Sequence, residues 1–105
     1  MKTVSVIVQI SVKKNFNNDK MNDIYRQAAI KYLAGFIDDA RKNPGCLYLD
    51  LLQDDNNVDE LCLVEQWESK AVLDEHISSP YFQTVSSFLA EYAGLIQIRH
   101  MTKIY

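Results

Sequence analysis

Hydrophobic and polar residues alternate from Thr3 to Lys13, with Val4, Val6, Val8, Ile10 and Val12 on one side and Ser5, Gln9, Ser11 and Lys13 mostly on the other. That period of two predicts a strand with one face in a core. A polar turn at 15–18 follows, and Asn18 or Asp19 can accept the free amide hydrogens that open a helix. From Met21 to Arg41 the spacing becomes three and four residues, through Ile24, Ala28, Ala29, Tyr32, Leu33, Phe36, Ile37 and Ala40. This predicts a helix whose apolar stripe needs a sheet to cover. Asn43-Pro44-Gly45 ends it, because proline forces its predecessor into extended backbone and glycine tolerates a tight reversal.

Cys46 to Gln53 reads as a second strand and Glu60 to Trp67 as a third, a hairpin joined by the acidic, amide-rich turn at 54–59. Ser69 opens a short helix through Ile77, and Ser79-Pro80 opens another through Tyr92. Gly94 is expected to end the helical stretch before a last strand over Ile96 to Ile104. The order strand, helix, strand, strand, helix, strand predicts a single α+β domain over 1–105, the ferredoxin-like βαββαβ arrangement, with helices on one face of an antiparallel sheet. Strands two and three are apolar in both parities, Leu47, Leu49 and Leu51 beside Cys46, Tyr48 and Leu52, then Leu61 and Leu63 beside Cys62 and Val64. Two helices cover one face only, so back-to-back packing of a homodimer is expected to cover the other.

Composition narrows the partners. At 48% hydrophobic and 24% charged residues the chain is apolar enough to fold. A net charge of -3, with no run of Lys or Arg, argues against nucleic acid. No apolar stretch approaches the roughly 18 residues of a membrane span, and the start of the chain leads into a strand pattern rather than a signal peptide, so a cytoplasmic protein is expected. With three glycines there is no phosphate-cradling loop, and a nucleotide cofactor is not expected. Cys46 and Cys62 are too far apart to suggest a zinc knuckle or a disulfide framework and are read as reduced, half-buried strand residues. No metal site is expected: His100 lacks partners, and Asp54, Asp55 and Asp59 miss the spacing of a calcium loop. Glu65 and Glu68 are read as solvated or ion-paired, Glu65 with Arg99 or Lys103 as its candidate cations.

Three linked stretches carry more: Asn43-Pro44-Gly45-Cys46-Leu47, then Val64-Glu65-Gln66-Trp67-Glu68-Ser69, then His76 through Gln83. Together they resemble the antibiotic biosynthesis monooxygenase superfamily, and within it the quinol monooxygenase branch. The resemblance implies a dimeric α/β barrel and cofactor-independent oxygenation of a small quinol or polyphenol by O2. It places Trp67 at the family's tryptophan and His76 at its histidine, while Tyr81 stands where a second histidine is usual and Leu73 where the polyketide-oxidising members have a phenol-binding tyrosine. No histidine occupies 85–88, so the resemblance does not extend to the haem-degrading members. In this reading His76 takes a proton from the substrate, Trp67 forms a wall against its ring, and Tyr48, Tyr81 and Phe82 complete the lining of a site for a small aromatic or quinone-like ligand. Two alternatives use the same scaffold: a ligand-binding or stress-response dimer without turnover, and an isomerase of a small carbonyl compound with His76 as the enolising base.

Overall fold

The structure, a computed structural model, describes residues 3–105. Its elements run β1 (Val4–Val12), α1 (Asp19–Ala40), β2 (Cys46–Gln53), β3 (Glu60–Trp67), α2 (Lys70–Ile77), α3 (Pro80–Tyr92) and β4 (Ala93–Met101). The four strands form one antiparallel sheet in the order β2-β3-β1-β4. This is the predicted ferredoxin-like α+β arrangement, with the second helical stretch split in two at Ser78 and Ser79. Each helix starts on a side chain that replaces a missing backbone acceptor. Asn18 accepts from the Met21 amide, Ser69 from Val72 and Ser79 from Phe82, with Pro80 in the first turn where no amide hydrogen is needed.

Parity decides the core. Val6, Val8, Ile10 and Val12 of β1 lie opposite Glu65, Leu63 and Leu61 of β3, and this face meets Leu33, Phe36, Ile37 and Ala40 of α1, Leu73 of α2, and Val85 and Leu89 of α3. Among the described residues no helix covers the other face. It carries Ile7, Cys62, Val64 and Leu52 among Ser5, Gln9, Gln66 and Asp50.

One boundary and one register differ from the sequence expectation. The last strand spans 93–101 rather than 96–104, because Ala93 already pairs with Val12 and the Lys13 amide donates to the Tyr92 carbonyl at 2.8 Å. Tertiary pairing thus starts the strand directly after Tyr92, where α3 was expected to end. In β2 the register slips between Cys46 and Tyr48, so Cys46, Leu49 and Leu51 share the helix-covered face while Tyr48 and Leu52 take the other.

Asp59 is not a solvated loop residue. Its carboxylate is buried and accepts from Arg26 Nη1 at 3.0 Å, with Lys14 Nζ at 3.4 Å, which ties the end of the β2–β3 turn to α1. Gly45 serves packing rather than reversal. Its φ is not positive, and a Cβ there would collide with Val72 on α2, while its carbonyl accepts from the Glu68 amide at 2.8 Å. α2 can therefore lie flat against the end of β2 only because residue 45 has no side chain. Gly45→Ala should destabilise the fold by roughly 1–3 kcal/mol through overpacking, measurable as a lower urea midpoint with an unchanged slope.

Candidate functional site

Trp67 ends β3 on the helix-covered side, and the Ser69 cap turns the chain into α2, which places His76 in its last turn, back over the indole. The two rings have centroids 4.4 Å apart and are tilted by 31°. Phe36 of α1 lies 5.4 Å from the imidazole and Phe82 of α3 5.5 Å, while Tyr81 stands 5.7 Å from Phe36. Three helices and one strand end thus bring His76, Trp67, Tyr81 and Phe82 into one aromatic cluster. Phe36, expected only as core, belongs to it as well.

Exposure within the cluster is graded. Trp67 is 0% exposed, so the indole supports the imidazole and presents no open wall. His76 and Phe82 are half-buried, and Tyr81 is 44% exposed. Tyr48 is separate. It lies opposite Gln66, on the sheet face turned away from Trp67, as its alternation with inward Leu49 and Leu51 requires.

The chemistry that the sequence reading missed is Glu65. It is neither solvated nor paired with Arg99 or Lys103: the residue is 7% exposed and its Oε1 accepts from Trp67 Nε1 at 2.9 Å. Arg99 lies in register with Ile7 and Val64, and so projects from the opposite face. Residues 65 and 67 are two apart on one strand, and that shared parity was the available signal. Burial pushes the Glu65 carboxyl above its ordinary value, and the bond from the indole opposes this. Cys46, across from Trp67, has its thiol pushed up by burial and then by the Glu65 charge. Burial pushes His76 down, partly offset by Asp39, which leaves a neutral imidazole at neutral pH. Its Nε2 is buried with no hydrogen-bond partner among the described residues.

A groove of about 590 Å³ lies between α1 and α3. Tyr32, Gly35, Tyr81, Thr84, Phe88 and Tyr92 line it, and Lys31 stands at its edge. Neither His76 nor Trp67 is among its lining residues, and Tyr81 alone joins the groove to the cluster. Among the described residues no three His, Cys, Asp or Glu side chains stand close enough to hold a metal ion.

The family model for antibiotic biosynthesis monooxygenase matches residues 3–86, from β1 into α3 and across every member of the cluster. The chain belongs to the antibiotic biosynthesis monooxygenase family. Its fold superposes on that of a conserved protein from Methanosarcina mazei at a TM-score of 0.82 and 24% identity, covering 98% of this chain and 94% of that one. Rv0793 from Mycobacterium tuberculosis gives 0.82 at 23% identity, covering 98% and 96%. PA3566 from Pseudomonas aeruginosa gives 0.83 at 20%, covering 100% and 97%. The Synechocystis protein sll1783 is 29% identical over 65 residues, and the match covers 62% of this chain and 44% of that protein's length. No helix among the described residues is long and apolar enough to cross a membrane.

His76 and Glu65 pull stability in opposite directions with pH. The lowered His76 makes the unfolded chain the stronger proton binder below the ordinary imidazole value, so its contribution is lost as pH falls through the range near 6.5. The raised Glu65 makes the folded chain the stronger proton binder, so its contribution grows as pH falls toward and below the ordinary carboxyl value. Glu65→Gln, which keeps an acceptor for the indole and removes the buried charge, should therefore raise the melting temperature at pH 7.5. That gain should disappear near pH 4, as followed by thermal melts across pH.

Proposed function

We propose that this protein is a cofactor-independent monooxygenase that oxidises a small quinol with O2, and that His76 is the group that accepts the substrate's proton. The observation that carries this reading is a half-buried imidazole, held neutral by burial, with an unpartnered Nε2 inside an aromatic cluster. Such a base is unprotonated at neutral pH and has a free ring nitrogen to accept a phenolic proton, while burial by itself weakens it as a base. The quinol anion then passes an electron to O2, the two radicals combine at ring carbon, and loss of water leaves a hydroxyquinone. Overall, one quinol and one O2 give one hydroxyquinone and one H2O. Tyr81 and Phe82 would flank the ring, Phe36 and Trp67 would back the imidazole, and the groove beside Tyr81 would receive the substituents.

The working unit in this reading is a homodimer. The helix-free face carries Ile7, Val64, Cys62 and Leu52, and β4 adds Leu95 and Met101 to it, 49% and 41% exposed. A second copy packed on that face would remove this apolar surface from water. Sedimentation of the purified protein at micromolar concentration should give the mass of two chains, and a single 12.1 kDa species would overturn the dimer.

A ligand-binding dimer without turnover is the second reading, favoured by the absence of His76 from the groove lining. The two separate in an oxygen electrode. With menadiol as substrate, the first expects uptake above autoxidation that falls by at least about a hundredfold in His76→Ala, the usual worth of a general base. Full turnover by His76→Ala would remove the role given to that residue. Quenching of Trp67 fluorescence by menadiol without O2 uptake would favour the second reading.

A further inference from the structure

Glu65 does nothing in the reaction just proposed, and a carboxylate is an expensive choice for its position. It is buried beneath the sheet's helix-covered face, where the glutamine amide would accept the same indole hydrogen without a charge to desolvate. A group that costs stability at one specific place is a candidate for function. Its one resolved bond runs to Trp67 Nε1, and the indole's other neighbour is the imidazole of His76 at 4.4 Å between centroids. Carboxylate, indole and imidazole thus stand in a row.

From this geometry we infer that Glu65 is a positioning residue that acts on His76 through the indole of Trp67, so that the three side chains work as one unit. The inference rests on His76 as the proton acceptor. The hydrogen bond fixes the rotation of the indole, which otherwise has no polar anchor in an apolar surrounding. A carboxylate on the N–H also makes the indole ring more electron-rich. An electron-rich ring at this separation attracts a cation. When His76 takes a proton the imidazolium rests against that ring, and the product of proton transfer is stabilised where burial alone would disfavour it. Neutral His76 gains little from the same contact. Glu65 therefore makes the imidazole a stronger base without touching the substrate.

The charged and titratable groups around the row are few. Asp39 of α1 acts on His76 directly. Cys46 of β2 faces Glu65 and responds to its charge. His100 of β4 lies on the same sheet face, one residue beyond Val6 in the row that contains Glu65. Two of these make natural controls: Asp39→Asn should lower the His76 pKa whether or not Trp67 is present, and His100→Gln leaves a single imidazole to follow.

The experiment is an NMR titration of the two histidine rings in the full chain, with His100→Gln to assign them. Glu65→Gln should lower the His76 pKa by about half a pH unit, the scale of a modest cation–π contribution. In a Trp67→Phe background, which has no N–H to donate, the same change should do nothing. The cycle thus separates action through the indole from direct charge. Should Trp67→Phe fail to fold, ultraviolet resonance Raman of Trp67 gives a second measurement. The indole N–H band should report a strong acceptor in the wild type at pH 8 and a weaker one in Glu65→Gln. An unchanged His76 pKa in a folded Glu65→Gln protein would overturn the inference, as would an equal fall in both backgrounds. The outcome is distinct from that of the oxygen assay. A coupled pKa with full turnover by His76→Ala would sink the proton-acceptor role and leave the triad, and an uncoupled pKa with lost turnover would do the reverse.

Discussion

Successive side chains of a strand point to opposite faces, and the three helices of this protein lie on one face only. That constraint sorts every residue that matters. On β3 it sends Leu61, Leu63, Glu65 and Trp67 inward and leaves Cys62, Val64 and Gln66 outside. Because Trp67 is the last inward residue of β3, the chain leaves the sheet beside the indole and α2 is laid across it. The position of His76 follows from where that strand ends and from the missing side chain at Gly45, which lets α2 approach. One inward residue earlier, the same alternation commits a carboxylate to the interior, and the indole of Trp67 is the donor that receives it.

The aromatic cluster lies at a seam of the fold. β3 supplies Glu65 and Trp67, α2 His76, α3 Tyr81 and Phe82, and α1 Phe36, so its shape depends on the packing of four elements around one buried indole. Rings in direct contact leave little room for motion, which holds the imidazole in one place and shields its Nε2 from water. The larger groove between α1 and α3 is built differently, from stacked Tyr32, Phe88 and Tyr92, and touches the cluster at Tyr81. Aromatic cluster and groove therefore sit side by side, with Tyr81 common to both.

Much of this was legible in the residues. The alternation of β1 and the three-and-four spacing of α1 were strong because each persists over many residues, and the capping asparagine and serines stood where helices begin. The adjacency of Trp67 and His76 followed from the family resemblance. The rest depended on events without a local signature. A one-residue slip in β2 moved Cys46 to the helix-covered face while Tyr48 stayed on the other, and it cannot be read from a segment that is apolar in both parities. The burial of Asp59 required Arg26, 33 residues away in the chain, to arrive above it. Glu65 was the avoidable miss, since its parity with Trp67 was visible and only the habit of placing carboxylates in water argued against it.

β4 carries a consequence of another kind. It forms one border of the sheet, with backbone donors and acceptors along its outer side, and it is bare above and below from Gly94 onward. Such a border is a template on which a further chain can add itself strand by strand. A freshly synthesised copy is most vulnerable there, in the interval before that ribbon meets whatever shields it. A formal charge of only -3 offers weak mutual repulsion during that interval. The yield of soluble protein should thus be governed by a race between correct docking and indiscriminate pairing, more than by the stability of the folded core.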